Sequence, residues 1–277
     1  MKKIAMLVAV VVVSIQAAAD AAQPAAGKGL PAVSWSQELV RMKAAIMTAD
    51  YRADIEALSR LRDELAPWPK ERELAYLARY WTGFASWRIA MNGANLGMKS
   101  GEQAAHLRDA ATDFYASIRL ADGFADAYAA AALVNSWLAV FSADDAPAFR
   151  ERISLSYTLL ARATALDPEN PRVLWAKGGF LLFAPQSRGG NITGAIEVYR
   201  RMSAEAVRRG VDRSSPAPDW GRAESLMSLA YAHLRQTPSD PASAHREASA
   251  ALELQPQWAY VRDTLMRQID EELHQER

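Results

Sequence analysis

The sequence predicts an all-α protein in which antiparallel helix pairs stack into an α-solenoid. After residue 34 the apolar residues recur at steps of three and four, which is the period of one helix face. No stretch alternates with period two, and no Asn-Gly or Asp-Gly dipeptide joins two strand-like runs, so we expect no β-sheet. Alanine, the best helix former, is abundant throughout. We expect about five helix pairs and a C-terminal capping helix.

Clusters of proline, glycine and short polar residues mark where these helices end. The expected breaks lie at residues 67–69, 92–101, 142–147, 168–171, 185–194, 210–218 and 238–241, and at Pro256. Between the first breaks, one run of apolar residues recurs at steps of four and three: Tyr51, Ile55, Leu58, Leu61 and Leu65. This spacing predicts a single helix face. A final helix is expected over 257–273.

The ends of three helices repeat a short pattern, which indicates internal repeats. Pro168 lies two positions after Leu166, and Pro256 lies two positions after Leu254. Leu120 ends a weaker copy that lacks the proline. Leu166 follows Leu120 by 46 positions and Leu254 follows Leu166 by 88, which is twice 44. The spacing predicts a helix-pair unit of about 44 residues.

Small and large residues alternate within these units in a recognisable order. One second helix carries Ala244, Ala248, Ala251, Leu252, Leu254 and Pro256, and one first helix carries Leu226, Leu229, Ala230 and His233. The pattern resembles the tetratricopeptide repeat, in which small residues sit where two helices cross closely. The units here are about ten residues longer than the usual 34, and Lys177 occupies a position that is normally apolar.

A second group of residues is similar to a set of exported bacterial tetratricopeptide proteins without an assigned activity. These residues are Asn170-Pro171-Arg172, Pro185, Gly189-Gly190 and Pro218-Asp219-Trp220-Gly221. The resemblance implies that the Gly-Gly loop joins the two helices of one repeat and that Trp-Gly opens the next repeat. It implies an architecture and a location, and no reaction.

The N-terminus has the pattern of a signal peptide. Lys2 and Lys3 precede an apolar run at 4–15, and Ala17-Ala18-Ala19 offers a small-x-small cleavage site. The run is shorter than the roughly 20 residues of a comfortable membrane span, although a retained anchor and cleavage after Ala21 or Ala22 are the alternatives. We therefore expect a signal peptide at 1–19, a flexible leader at 20–33, a helical-repeat domain at 34–277, and a periplasmic or secreted location.

Composition excludes several classes of function. The chain has 32 basic and 32 acidic residues and no basic stripe, which argues against nucleic-acid binding. It has no cysteine, so disulfides and cysteine-based catalysis or metal binding are excluded. The four histidines form no helical metal-binding pair, and no catalytic or phosphate-binding motif occurs. We expect no metal, no cofactor and no enzymatic activity.

The loop around Arg188, Gly189 and Gly190 is one candidate binding surface. Glycines let a backbone approach a ligand, and free N–H groups at a helix start together with an arginine favour an anion. The simpler interpretation is that the glycines permit a turn and that Asn191 or Thr193 caps the next helix.

Trp81 is the other candidate. It belongs to an aromatic helix in which Tyr76, Tyr80, Phe84 and Trp87 follow helical spacing and should form inter-helix core. Core packing is the simpler interpretation for each of these rings, Trp81 included. Because Trp81 lies partly off that stripe, it is the residue to test as an exposed anchor for a partner.

Two functions fit this architecture. The first is a scaffold in the cell envelope, in which a groove between stacked helices binds an unidentified protein or peptide. The second is a periplasmic small-ligand-binding subunit of an uptake system, by analogy of fold alone. A helical enzyme with unrecognised motifs is a third hypothesis.

Overall fold

The computed structural model describes residues 34–69 and 73–275, and the predictions for residues 1–33 lie outside them. Its α-helices are α1 (Trp35–Tyr51), α2 (Ile55–Leu65), α3 (Ala75–Asn95), α4 (Ser100–Leu120), α5 (Ala125–Val140), α6 (Ala146–Leu166), α7 (Pro171–Phe183), α8 (Ile192–Arg209), α9 (Arg222–Arg235), α10 (Pro241–Leu254) and α11 (Met266–Gln275). A 3₁₀ turn (Gln186–Arg188) follows α7, and a π-helical turn (Val261–Leu265) leads into α11. The described residues contain no β-strand.

Consecutive helices pack as five pairs, from α1 with α2 to α9 with α10, and α11 packs on the last pair. This arrangement confirms the predicted α-solenoid of helix pairs with a C-terminal capping helix. Of the helices in the described ranges, none is both long and apolar enough to cross a lipid bilayer.

Polar caps begin most of the helices where the sequence places a short acceptor side chain. Ser34 and Gln37 cap α1 reciprocally, with Gln37 N donating to Ser34 Oγ at 3.2 Å. Asp145 and Asn191 accept main-chain N–H groups at the starts of α6 and α8, each at 3.0 Å. Each cap satisfies a main-chain donor that the helix itself leaves free. Of the two capping candidates that the sequence left open for α8, Asn191 and Thr193, Asn191 is the residue that caps.

The run from Tyr51 to Leu65 is not one helix, which corrects the expectation of a single face. Helix α1 ends at Tyr51 and α2 begins at Ile55, because Ala53 adopts a left-handed conformation with φ of 54° and Asp54 then caps α2. Neither proline nor glycine marks this break. The apolar residues keep helical spacing across the turn, so their spacing does not reveal that two helices meet there.

Small residues allow the helices of each pair to cross closely. A Cβ on Gly178 of α7 would overlap the ring of Tyr199 on α8. Helices α3 and α5 are buried on nearly every side, and most of their buried alanines lie in one continuous core with the aromatic side chains of α3. Because a helix that is apolar all round must be covered all round, something other than its own pair partner packs on the free sides of α3 and α5.

Candidate functional site

The link between α8 and α9, residues 210–221, is held by the first helices of three repeats. Side chains of α1, α3 and α7 all contact this connecting segment. We call the faces that meet it the inner surface. The contacts fall largely on main-chain carbonyl groups of the segment, in the way that a protein holds an extended peptide.

Lys43 of α1 attaches the segment at three points. Its ammonium group lies 2.8 Å from a carboxylate oxygen of Asp219 and donates to the carbonyl oxygens of Asp212 at 3.1 Å and Ala217 at 3.3 Å. Only 5% of the Lys43 side chain and 18% of the Asp219 side chain are exposed. A buried ammonium group needs such partners, because its desolvation is otherwise very unfavourable.

Trp81 is fully buried, with 0% of its surface exposed, so the core interpretation is confirmed and the hypothesis of an exposed anchor is wrong. Its indole N–H donates to the carbonyl oxygen of Pro216 at 2.8 Å. The residue lies off the stripe that faces α4 because it points towards the connecting segment. It therefore anchors a segment of its own chain.

Trp220, near the end of the segment, packs into an aromatic cluster. Its ring centroid lies 5.3 Å from that of Trp175 and 5.9 Å from that of Phe84, and its N–H points to the hydroxyl of Tyr80 at 3.3 Å. Arg172 of α7 donates to the Trp220 carbonyl oxygen at 3.0 Å. The indole thus joins α3 to α7, two repeats apart along the chain.

The same arginine is neutralised within the protein. Its Nε lies 2.6 Å from Asp126 of α5, and Asn170 donates to the other oxygen of that carboxylate at 2.8 Å. All three side chains are buried. This pairing explains why Asn170-Pro171-Arg172 stands at the start of α7: the asparagine caps the helix and orients the carboxylate that holds the arginine.

A buried carboxyl group, Glu224, closes the segment at the start of α9. It accepts hydrogen bonds from the Gly221 N–H at 2.8 Å and from the hydroxyl of Tyr51. Burial raises the pKa of the Glu224 carboxyl above its usual value, and burial and Glu224 together raise the pKa of the Tyr51 hydroxyl. Because both groups are enclosed and paired with each other, their shifted pKa values are explained by the contact between the end of α1 and the start of α9.

The inner surface is consequently occupied by the chain itself. The sequence predicts a groove into which a partner segment docks, and in the structure residues 212–220 lie where that segment would lie. The signal was present in the sequence, because 210–218 is a polar break and Asp219-Trp220-Gly221 follows it directly. Its length indicated a loop, and nothing in its composition indicated which face the loop covers.

The loop after α7 matches the simpler of its two sequence interpretations. Gly189 has φ of 89°, a left-handed conformation that favours glycine, and a Cβ on Gly190 would overlap the carbonyl group of Ala184. Asn191 then caps α8. Both glycines are accounted for by the turn, which joins the two helices of one repeat.

Arg188, in the same loop, is exposed and lies beside a different feature. Its guanidinium group lies 5.7 Å from the ring centroid of Phe149 on α6. Phe149 and Tyr157 are two helical turns apart on one face of α6, and the Tyr157 ring lies 5.1 Å from that of Phe180 on α7. One helical turn further, the Phe183 ring lies 5.8 Å from that of Tyr231 on α9.

These rings form a row across three repeats, which we call the aromatic row: Phe149, Tyr157, Phe180, Phe183, Tyr231 and Tyr260. Phe183 is 64% exposed and Tyr157 is 41% exposed, while the others are partly buried. Arg235 lies 5.1 Å from the Tyr231 ring centroid. Burial raises the pKa of the nearby Tyr260 hydroxyl to about 12, with Tyr231 adding to the rise and Arg235 opposing it. The two ring contacts join α6 to α7 and α7 to α9, so the row crosses all three helices.

No arrangement for metal binding accompanies these surfaces in the described part of the chain. Within residues 34–69 and 73–275, no group of three or more His, Asp or Glu side chains is placed to hold a metal ion. The buried ionisable groups that the structure does bring together form two separate pairs: Glu224 with Tyr51, and Asp126 with Arg172.

A comparison with solved structures finds a thermophilic TPR (tetratricopeptide-repeat) protein of Thermus thermophilus. The two structures superpose with a TM-score of 0.50 and 16% sequence identity, over 84% of this chain and 98% of that chain. The likeness supports the tetratricopeptide-like helical-repeat fold that the sequence predicts. No protein-family model matches the sequence, and no curated protein matches it.

Proposed function

We propose that this protein is a non-catalytic scaffold of the bacterial cell envelope and that it binds a partner protein through the aromatic row. One observation carries the proposal: Phe183 and Tyr157 remain exposed, each in ring contact with the next helix of the row, while the inner surface is filled by residues 212–220. A scaffold of this fold needs a surface that is both rigid and open. Only the row meets both conditions among the surfaces described above.

The row has the properties of a docking surface. Aromatic side chains supply a large contact area and have few rotatable bonds, so little conformational entropy is lost when a partner covers them. Their positions are fixed by α6, α7 and α9, because α6 packs on α7 and α7 packs on α9. The proposal for the type of function rests on analogy of fold, since helical repeats commonly present such surfaces.

The alternative of a small-ligand subunit finds less support. The aromatic side chains that would surround a ligand, including Trp81, Trp175 and Trp220, contact one another or the connecting segment. A ligand would have to displace that segment and break the ion pair between Lys43 and Asp219.

The test is site-specific cross-linking in the native cell. The variant Phe183→p-benzoylphenylalanine places a photoreactive ring in the row, and Val207→p-benzoylphenylalanine places it on α8, where Val207 is similarly exposed at 57%. We expect one discrete protein adduct from position 183 that is absent from position 207. Identical adduct patterns at the two positions, or none from position 183, would refute the row as the binding surface.

Export is a separate part of the proposal, supported by the N-terminal sequence pattern. N-terminal sequencing of the protein from an envelope fraction should find the mature chain starting at Asp20, or just after Ala21 or Ala22. A mature chain that retains residues 1–19 would refute cleavage and restore the alternative of an anchor.

A further inference from the structure

We infer that the aromatic row recognises an acidic segment of its partner protein, one that carries an aromatic or large aliphatic side chain. This inference rests on the proposed function and names the chemistry of the partner. It is carried by the charges around the row, which differ sharply from those of the whole chain.

The helices that build the row are free of acidic residues along the stretches that contribute most of it. The chain as a whole has 32 basic and 32 acidic residues. In contrast, residues 152–166 of α6, 171–196 across α7 and its loop, and 225–239 from α9 into the turn after it contain no aspartate or glutamate. They contain six lysines and arginines, of which only Arg172 has a carboxylate partner among the described residues, Asp126. The acidic residues that border these stretches include Glu151 and Asp240, which caps α10. The row is therefore a surface of largely one sign in a chain that is neutral overall.

Three of these cations are exposed and lie next to the rings. Arg188 is placed over Phe149, and Arg235 over Tyr231. Lys177 precedes Phe180 by three positions on α7 and is exposed on the same helix face. Within the described part of the chain, none of the three takes part in a salt bridge, in contrast to Lys43 and the other buried cations.

The arrangement suits one kind of ligand. A guanidinium group held over an aromatic face keeps its N–H edges available for carboxylate oxygens, so Arg188 and Arg235 are oriented before the partner arrives. The exposed ring of Phe183 lies along the row between them and offers an apolar contact. An extended or helical segment with an apolar side chain flanked by carboxylates satisfies both demands.

Single-stranded nucleic acid is the competing anionic partner with stacking surfaces. The row contains few cations and they are interrupted by apolar residues such as Leu181 and Leu182, whereas phosphate binding favours a continuous basic stripe. The acidic peptide is therefore the occupant that the surface fits better, and an oligonucleotide becomes an arm of the test.

The test measures fluorescence anisotropy of short labelled peptides with the purified mature chain. The first probe has a single phenylalanine among glutamates and glycines. Two matched probes replace the glutamates by lysines, or the phenylalanine by alanine, and a labelled oligothymidylate serves as the nucleic-acid probe. We expect the first probe to bind at least about tenfold more tightly than the other three, and its affinity to fall as salt is added.

Matched variants locate the binding. Phe183→Ala and Arg235→Glu should each weaken the first probe by about tenfold or more. Val207→Ala and Arg119→Glu, exposed changes on α8 and α4, should leave its affinity within about twofold. Circular dichroism checks that each variant is folded, and since these side chains are exposed or half-buried we expect unchanged spectra.

The outcomes separate this inference from the proposed function. Equal binding of the glutamate and lysine probes, tighter binding of the oligothymidylate, or no loss in the Phe183→Ala and Arg235→Glu variants would overturn the acidic-segment inference. If the cross-link at position 183 persists in those cases, the scaffold stands and only the partner chemistry is wrong. If the cross-link is also absent, the row itself is excluded as the binding surface.

Discussion

Replacing Lys43 by methionine should release the connecting segment from the inner surface. The change removes one ammonium group that contacts Asp219 at 2.8 Å and the carbonyl oxygens of Asp212 and Ala217 at 3.1 and 3.3 Å. Methionine has a similar length and volume, so little cavity is created. The loss therefore reports on the polar contacts.

The expected magnitude follows from the burial of the pair. Removing one partner of a buried ion pair costs about 3–5 kcal/mol, because the other charge is left uncompensated. The Asp219 side chain keeps 18% exposure, so water screens it in part and the lower end, about 3 kcal/mol, applies. For a chain of this size that corresponds to a fall in Tm of roughly 6–12 °C.

Two measurements check this prediction. Thermal unfolding gives the overall loss, and hydrogen exchange of residues 212–220 shows whether the segment opens before the rest of the chain. Adding Asp219→Asn to Lys43→Met should recover part of the loss, since it removes the uncompensated charge. Lys177→Met, an exposed lysine, is the control and should change stability by less than about 0.5 kcal/mol. Unchanged exchange in 212–220 together with a loss below about 1 kcal/mol would show that the ion pair does not hold the segment.

Three further perturbations test other contacts of the inner surface and the loop. Glu224→Gln should make the stability of the protein less dependent on pH. Because the folded pKa of the Glu224 carboxyl is raised, its stabilising contribution is fully present below its unfolded pKa and is lost as pH rises through the folded value. In thermal melts the variant should therefore gain stability relative to the wild type from acidic to neutral pH, and a constant difference would contradict this. Trp81→Phe leaves the carbonyl oxygen of Pro216 without its donor and should lower the free energy of unfolding in denaturant by about 1–3 kcal/mol. Peptide binding at the aromatic row should be unchanged, and weaker peptide binding would show that Trp81 contributes to the binding surface. Gly190→Ala should destabilise the folded protein by about 1–3 kcal/mol because the new Cβ meets a carbonyl group. Gly101→Ala in α4, where a Cβ meets nothing, is the control and should not destabilise it. Equal melting temperatures for the two variants would show that the loop adapts freely.

The repeat architecture could be predicted from the sequence because its cause is local. The prolines after Leu166 and Leu254 end second helices, and the small residues Ala244 and Gly178 lie where helices cross. Such positions follow from helix geometry and need no knowledge of distant residues. The break at Ala53 was missed because an alanine in a left-handed conformation leaves no mark in the composition of the sequence.

The inner surface could not be predicted because it depends on contacts between residues far apart in the chain. Trp81 and Pro216 are separated by 135 positions, and Lys43 and Ala217 by 174. Helical spacing correctly places Trp81 off the main stripe of α3. Spacing does not say whether the other side of that helix meets water or a distant segment, so the exposed-anchor expectation failed.

Net charge illustrates how a property of the whole chain can hide a property of one surface. The equal totals of acids and bases argue correctly that no large field surrounds the protein. They carry no information on which charges are already paired. Inside the solenoid, each of three buried or half-buried cations has a carboxylate partner: Lys43, Arg88 and Arg172.

Those internal pairs use carboxylates that the totals count, and cations elsewhere remain without a salt-bridge partner in the described part of the chain. Around the aromatic row these are Lys177, Arg188 and Arg235. Under the proposed function, a partner contacts this surface and does not respond to the net charge of the whole chain. Its affinity then depends on these exposed groups and on the rings beside them. Residues 212–220 fill the inner surface and supply Asp219 to Lys43, whereas the three cations beside the row keep their charge available to a partner.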